Sequence, residues 1–416
     1  MVEPRNCPSS SWTFRARFRS GAFGWKGSRL AIERIAEALT EIRAVARHDP
    51  AAAAEGAVLL LEKLSPALSN VDSSSGALGN AAHAAVQELA VLIGAALVGT
   101  PVRKKWLNRL FEAIQIDDPP YIESLGDHWG MLCATEDLAS EWADHLLPTL
   151  RDALSSRTRG AYAYFPGTTL CYSALFKARR HAELLNVLAM DPHPIFPYAI
   201  WGARVLAYQG NVDEAIAYLK DRSGKSTSEH AIARFAEDLL LKADRRSEAF
   251  DRYALLANQG NTNLSTFRAL AKKYPELEPA KLLDHLVEST PTEPGKWFAT
   301  AKTLKMFDRA RQLAWTSPCD PRTLVRAARD HRVAHPEFAM QCALAALHWI
   351  SMGHGYELTS TDVVEAHQLA TEIGGSSPQT EQVSILIEQI LDPARPMASW
   401  MRRALGLLPT PTRRSA

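Results

Sequence analysis

Equivalent positions recur through the second half of the chain at Glu183, Glu214, Glu248, Glu278, Arg309 and Glu337, at intervals of 31, 34, 30, 31 and 28 residues. Each follows a stretch that ends one helix and opens the next. The plainest copies are Ala207-Tyr208-Gln209-Gly210-Asn211-Val212-Asp213-Glu214-Ala215 and Leu241-Lys242-Ala243-Asp244-Arg245-Arg246-Ser247-Glu248-Ala249. Related turns stand at 178–183, 274–278, 305–310 and 335–339. An interval near 31 residues is the length of two antiparallel helices and their turn. A single such unit cannot bury its apolar face, so neighbouring units must stack.

The same helical rhythm governs the first half. Ile32, Ile35, Leu39, Ile42 and Ala46 step by three and four, which puts them on one helical face. Asp49-Pro50 closes that helix and opens another that carries Val58, Leu61 and Leu64 up to Pro66. Asp72-Ser73-Ser74-Ser75-Gly76 reads as a linker with capping side chains before a third helix through Leu78, Ala82, Ala85, Leu89, Leu92 and Ala96. Further helices are expected at 102–115, 121–133 and 136–154. No β-branched run alternates cleanly, so strands are not expected.

The stretch holding Ala203, Ala207, Gly210, Glu214, Ala215 and Leu219 resembles the small-residue pattern of tetratricopeptide repeats. Arg179 and Asp244 depart from it, standing where that repeat prefers glycine. The resemblance implies stacked helical hairpins with an extended concave surface and assigns no peptide-binding residues. The chain also resembles a family of helical bacterial proteins of uncharacterised function. That resemblance runs from about residue 13 to about residue 370, on Phe14-Arg15-Ala16-Arg17-Phe18, Phe23-Gly24-Trp25-Lys26, Val71-Asp72-Ser73-Ser74-Ser75-Gly76 and Ser317-Pro318-Cys319-Asp320-Pro321. It implies a helical fold and brings no activity, cofactor or catalytic residue. The expected architecture is all-α: an α-solenoid of stacked, degenerate tetratricopeptide-like hairpins preceded by an N-terminal helical layer. Four divisions follow: a basic aromatic arm (1–28), an N-terminal helical region (29–158), the repeat array (159–392) and a basic C-terminal tail (393–416).

Charge is unevenly spread. The net charge is +1, yet residues 1–30 and 395–416 carry +5 each, so the body between them is −9. In the arm, Trp12, Phe14, Phe18, Phe23 and Trp25 interleave with Arg15, Arg17 and Arg19. Arginines beside aromatics suit phosphate contact and base stacking, but the balanced whole-chain charge speaks against a committed nucleic-acid binder. Five cysteines without a Cys-x-x-Cys pair suggest reduced thiols. No apolar run approaches the ~20 residues of a membrane helix, and the expected location is cytoplasmic.

Motifs for familiar chemistry are missing. There is no GxxxxGK[ST], GxGxxG, His-Glu-x-x-His or Gly-x-Ser-x-Gly. His331 and His335 have helical i, i+4 spacing, but Pro336 biases His335 away from the helix. Asp127-His128-Trp129-Gly130 holds an acid next to a histidine, and neighbouring residues on a helix do not face each other. Asp72 and the following serines lack a positioned base, His83 being the nearest. Thr168 or Thr169 is a candidate cap for the helix after Tyr162, Tyr164 and Phe165. Ser317-Pro318-Cys319-Asp320-Pro321 reads as a similar cap, and lone Cys319 is not favoured as a nucleophile. No catalytic, cofactor-binding or metal-ligating residue is assigned, and the reading leans away from an enzyme. The expected role is a non-enzymatic protein-interaction or adaptor protein, with Arg15, Arg17, Arg19, Trp25, Lys26, Arg204, Tyr208 and Tyr253 facing a protein partner. Two alternatives stand beside it: a nucleic-acid-associated protein using the basic arm, and an enzyme without a familiar motif.

Overall fold

A computed structural model describes residues 12–158, 164–191, 194–222, 227–375 and 380–408. The fold is all-α, with no strand among the described residues. The chain divides into two compact units, Met1–Ser228 and Glu229–Ala416. None of the described helices is long and apolar enough to cross a membrane.

The N-terminal unit runs α1 (Ser28–Ala46), α2 (Pro50–Leu68), α3 (Ala77–Ala95), α4 (Thr100–Gln115), α5 (Trp129–Cys133), α6 (Glu136–Thr158), α7 (Thr168–Lys177), α8 (His181–Ala189), α9 (Phe196–Tyr208) and α10 (Val212–Arg222). A 3-10 turn, Glu123–His128, leads into α5. Helix α2 starts where the sequence indicates: Asp49 accepts a hydrogen bond from the Ala52 N–H, and Pro50 supplies a preset φ. Helix α3 starts differently from expectation. Its N-cap is Gly76, at φ +73 with no side-chain cap, while the Asp72 carboxylate accepts from the Ser74 N–H inside the preceding turn.

The arm is not a separate element. Trp12, Phe14, Phe18 and Phe23 are buried in the core of this unit, beside Ile35, Ile42 and Leu61. Their rings meet in sequence, Phe14 on Phe18 and Phe18 on Phe23, edge to face. The Glu41 carboxylate accepts from the Thr13 N–H and hydroxyl and from the Phe14 N–H, at 2.8, 2.6 and 3.2 Å. Arginine alternates outward and aromatics inward, so the basic charge belongs to one face of a packed segment. Residues 1–11 lie outside the described residues.

The expected break at 158/159 is also not where the units divide. Helix α6 packs along α7. Leu146, Leu150 and Leu154 share a core with Leu170 and Leu175. Ion pairs Arg151–Glu183 and Arg180–Asp144 tie α6 to the start of α8 at 2.7 and 2.6 Å. The Ser-Arg-Gly composition there marks a local connection, not an end of tertiary contact.

The C-terminal unit runs α11 (Glu229–Lys242), α12 (Arg246–Ala249), a π-helical turn (Phe250–Ala254), α13 (Leu255–Ala257), α14 (Asn263–Lys273) and α15 (Pro279–Glu288). It continues through α16 (Phe298–Thr303), α17 (Phe307–Thr316), α18 (Pro321–His331), α19 (Pro336–Ser351), α20 (Ser360–Gly375), α21 (Thr380–Ile390) and α22 (Ala398–Ala404). The described part of the expected tail folds onto this unit. Met401 is fully buried, and Arg395 donates to the Ser351 hydroxyl at 2.9 Å. The basic composition of 393–416 therefore does not mark a detached segment at 395–408.

Four inter-helix turns share one geometry. Arg179, Gly210, Asp244 and Lys305 adopt left-handed backbone, at φ +57, +87, +60 and +60. In each turn the next residue's N–H bonds the carbonyl five residues back, from Arg180 to Leu175, Asn211 to Leu206, Arg245 to Leu240 and Met306 to Ala301. This is the Schellman arrangement, which satisfies carbonyls left open at a helix end. Four residues after each left-handed position stand Glu183, Glu214, Glu248 and Arg309 in the next helix's first turn. The other two turns lack a positive φ. Their second helices open on proline, at Pro279 and Pro336.

Candidate functional site

A cleft of about 580 Å³ opens in the N-terminal unit, among the 123–128 turn, α5, α7 and α9. Helix spacing builds two of its walls. Trp201, Arg204 and Tyr208 step i, i+3, i+7 along α9, and Ser173, Phe176 and Lys177 step i, i+3, i+4 along α7. The third wall depends on Gly130. A Cβ there would fall 2.4 Å from the Ser173 carbonyl oxygen, so only glycine lets α5 approach α7 this closely. The Gly130 N–H donates to the Ser173 hydroxyl at 2.9 Å, and that hydroxyl donates to the Asp127 carbonyl at 3.2 Å.

The charges of the cleft are unequally engaged. At its rim Arg179 donates to Glu136 at 2.6 Å and also to the Tyr208 hydroxyl. Arg204 lies over the Trp201 ring, 4.3 Å from its centroid. Its guanidinium has no hydrogen-bond acceptor and no ion-pair partner among the described residues, and burial pulls its pKa down against the opposing pull of Asp127. Asp127 carries the complementary deficit: its carboxylate has no donor among the described residues, and burial raises its pKa, with Arg204 and then His83 opposing. Lys177 has no ion-pair partner among the described residues either. Phe176, His181 and Tyr208 close the aromatic side, with centroids 4.9–6.0 Å apart. The Trp201 indole N–H is buried without an acceptor, in a residue only 3% exposed.

The residues singled out by sequence are thus dispersed. Arg204 and Tyr208 meet in this cleft. Tyr253 belongs to the other unit, where it sits buried in the π-helical turn and its hydroxyl accepts from Arg252 at 3.0 Å. There it lines a separate cavity of about 490 Å³ with Phe250, Thr290 and Trp297. In the first segment Arg15, Arg19 and Lys26 are exposed and Trp25 is 68% exposed, while Arg17 pairs with Glu37. Of the aromatics there, only Trp25 offers a ring for stacking. Asp127, Phe176, Lys177, His181 and Trp201 escaped the sequence reading as a set. The one local signal was the shared face of Trp201, Arg204 and Tyr208.

Other candidates resolve into structure. His331 and His335 pack their rings on Phe307. No group of three histidine, cysteine, aspartate or glutamate side chains able to hold a metal occurs among the described residues. The Asp127 carboxylate makes no hydrogen bond to His128, whose pKa is lowered by burial first and Arg204 second. His83 contacts Gln87, not the serines of 73–75. Thr168 donates its hydroxyl to the Phe165 carbonyl, and the N-cap of α7 is Gly167 with no side-chain cap; Tyr162 lies outside the described residues. The Cys319 thiol donates to the Gly295 carbonyl, and burial pushes its pKa up to about 12, far from a thiolate nucleophile. The cleft brings together aromatic walls and a guanidinium, an ammonium and a carboxylate that have no hydrogen-bond or ion-pair partner among the described residues. Compared with models of known protein families and with curated proteins, the sequence matches none.

Proposed function

We propose that the chain is a non-enzymatic interaction protein that engages a protein partner, with the cleft of its N-terminal unit as the docking point. The observation that carries this reading is Arg204, stacked on Trp201 beside Phe176 and Tyr208 and lacking any acceptor among the described residues. Arginine and aromatic side chains in a concave, partly desolvated setting are the usual anchors of binding energy. The four matched turns support reading the hairpins as degenerate copies of one tetratricopeptide-like unit, an architecture that presents extended binding surfaces. The four described cysteines are buried free thiols, which supports a reducing, cytoplasmic setting.

The nucleic-acid reading loses its main support, because four of the five aromatics near the arginines are spent in the core.

The test is an affinity pull-down from nuclease-treated native lysate with the full chain and with Tyr208→Ala. Tyr208 is 54% exposed, so its truncation leaves the fold in place. A stoichiometric partner whose recovery falls at least about tenfold in the variant is the expected result. Equal recovery with both proteins overturns the reading.

A further inference from the structure

We infer that the cleft is a receptor for a small organic monocarboxylate with a flat apolar body. This rests on reading the cleft as the protein's binding site, and it adds a ligand that is not the partner protein itself.

The first step is charge. Apart from the imidazole of His181, the charged groups on the wall are Lys177, Arg179 and Arg204 against Asp127 and Glu136, a balance of one positive charge. Arg179 and Glu136 satisfy each other. The unengaged groups are therefore Arg204 and Lys177 against Asp127, again one positive charge. A monoanion neutralises that set. A phosphate dianion overshoots it and brings a second negative charge towards Asp127.

The second step is shape. A guanidinium is planar and offers its N–H groups as a rigid fork that matches the two oxygens of a carboxylate. Arg204 lies over the Trp201 ring, 4.3 Å from its centroid, and this contact restrains it before any ligand arrives. That removes part of the ordering cost of binding. An ammonium such as Lys177 adds a second, less directional positive charge.

The third step is the unsatisfied hydrogen bonding. Structural arginines in this unit are satisfied by protein. Arg103, only 4% exposed, donates to the carbonyls of Ile93, Ala96 and Leu132. Arg204 has no such set among the described residues and is only partly buried, on the wall of the cleft. A guanidinium open to a cleft without a protein acceptor suits an acceptor-rich, anionic group. The body of the ligand follows from the rings that stand beside these charges. Phe176, His181 and Tyr208 present aromatic surface at the volume scale of small-molecule sites.

The experiment is isothermal titration of the full chain with phenylacetate, indole-3-acetate, phenylacetamide and phenyl phosphate. The two carboxylates are expected to bind. Phenylacetamide, the same body without the charge, should bind at least about tenfold more weakly. Arg204→Gln should weaken carboxylate binding by about tenfold or more, with an unchanged circular-dichroism melt. Lys177→Met should weaken it severalfold. Phenyl phosphate should not exceed phenylacetate. No carboxylate binding, equal binding of acid and amide, or Arg204→Gln binding like the parent each overturns the inference. A peptide ending in phenylalanine with a free carboxylate serves as a further arm. Binding of that peptide without binding of phenylacetate would assign the site to chain ends and overturn the small-molecule source. Loss of partner capture in Tyr208→Ala together with failed titrations would leave the docking reading standing and remove only this inference.

Discussion

The two units each desolvate a charged side chain, and they treat it in opposite ways. In the C-terminal unit Glu237 is completely buried and fully engaged. It accepts from the Asn258 side-chain amide, the Lys273 ammonium and the Tyr274 hydroxyl, all at 2.7 Å. In the N-terminal unit Arg204 is partly buried over the face of Trp201, with no hydrogen-bond acceptor among the described residues and only the charge of Asp127 opposing its desolvation. A charge kept for structure is surrounded by partners, because an unpaired one costs several kcal/mol. A charge left open towards a cleft cannot be explained by the fold it sits in. On the proposed reading, the contrast separates a framework residue from a recognition residue.

The largest effect should follow from breaking the satisfied site. Glu237→Leu strands the Tyr274 hydroxyl and leaves the Asn258 amide only the Ala254 carbonyl, and should cost the C-terminal unit about 3 kcal/mol. Calorimetry that resolves that unit's transition measures it. A loss below ~1 kcal/mol would mean the network is dispensable, and the contrast with Arg204 would lose its meaning. The next effect carries the comparison to the turns. Gly210→Ala places a side chain at φ +87 and should cost about 1 kcal/mol, whereas Lys305→Gly relieves a non-glycine residue at φ +60 and should gain about 0.5 kcal/mol. Denaturant midpoints read both, and a stabilising Gly210→Ala would contradict the shared turn geometry. The smallest effect belongs to Arg204→Met, which keeps the length and removes the unpaired charge. Stability should stay within about 0.5 kcal/mol of the parent. A loss comparable with that of Glu237→Leu would place Arg204 in the framework and erase the distinction.

What could be read from the sequence follows local chemistry. Helices appear wherever apolar residues step by three and four, and the positions Glu183, Glu214, Glu248 and Arg309 fall in the first turn of a second helix. Gly210 announces its left-handed turn, but Arg179, Asp244 and Lys305 adopt the same backbone without a glycine to signal it. Composition says less about where a segment packs. The many aromatics among Arg15, Arg17 and Arg19 point to a segment that packs on something, and four of those rings complete a core. The division at 158/159 is crossed by the packing of α6 on α7. The cleft was half legible: α9 places Trp201, Arg204 and Tyr208 on one face, a pattern that spacing reveals. Asp127 and Lys177 reach it only through the close approach at Gly130, which is a tertiary fact.

The seating of Trp12 has a consequence for how this molecule opens. A Cβ on Gly56 would lie 2.3 Å from the Trp12 ring, so the indole occupies a notch that exists because α2 has no side chain there. Thr13 and Phe14 are pinned next to it by one carboxylate of α1. The segment therefore stays seated only while α1 and α2 hold their packing. Arg15, Arg17 and Arg19 are exposed trypsin targets whose cleavage requires that segment to lift. Their digestion rate under native conditions is a clock for local unfolding of this corner, readable long before the unit as a whole melts.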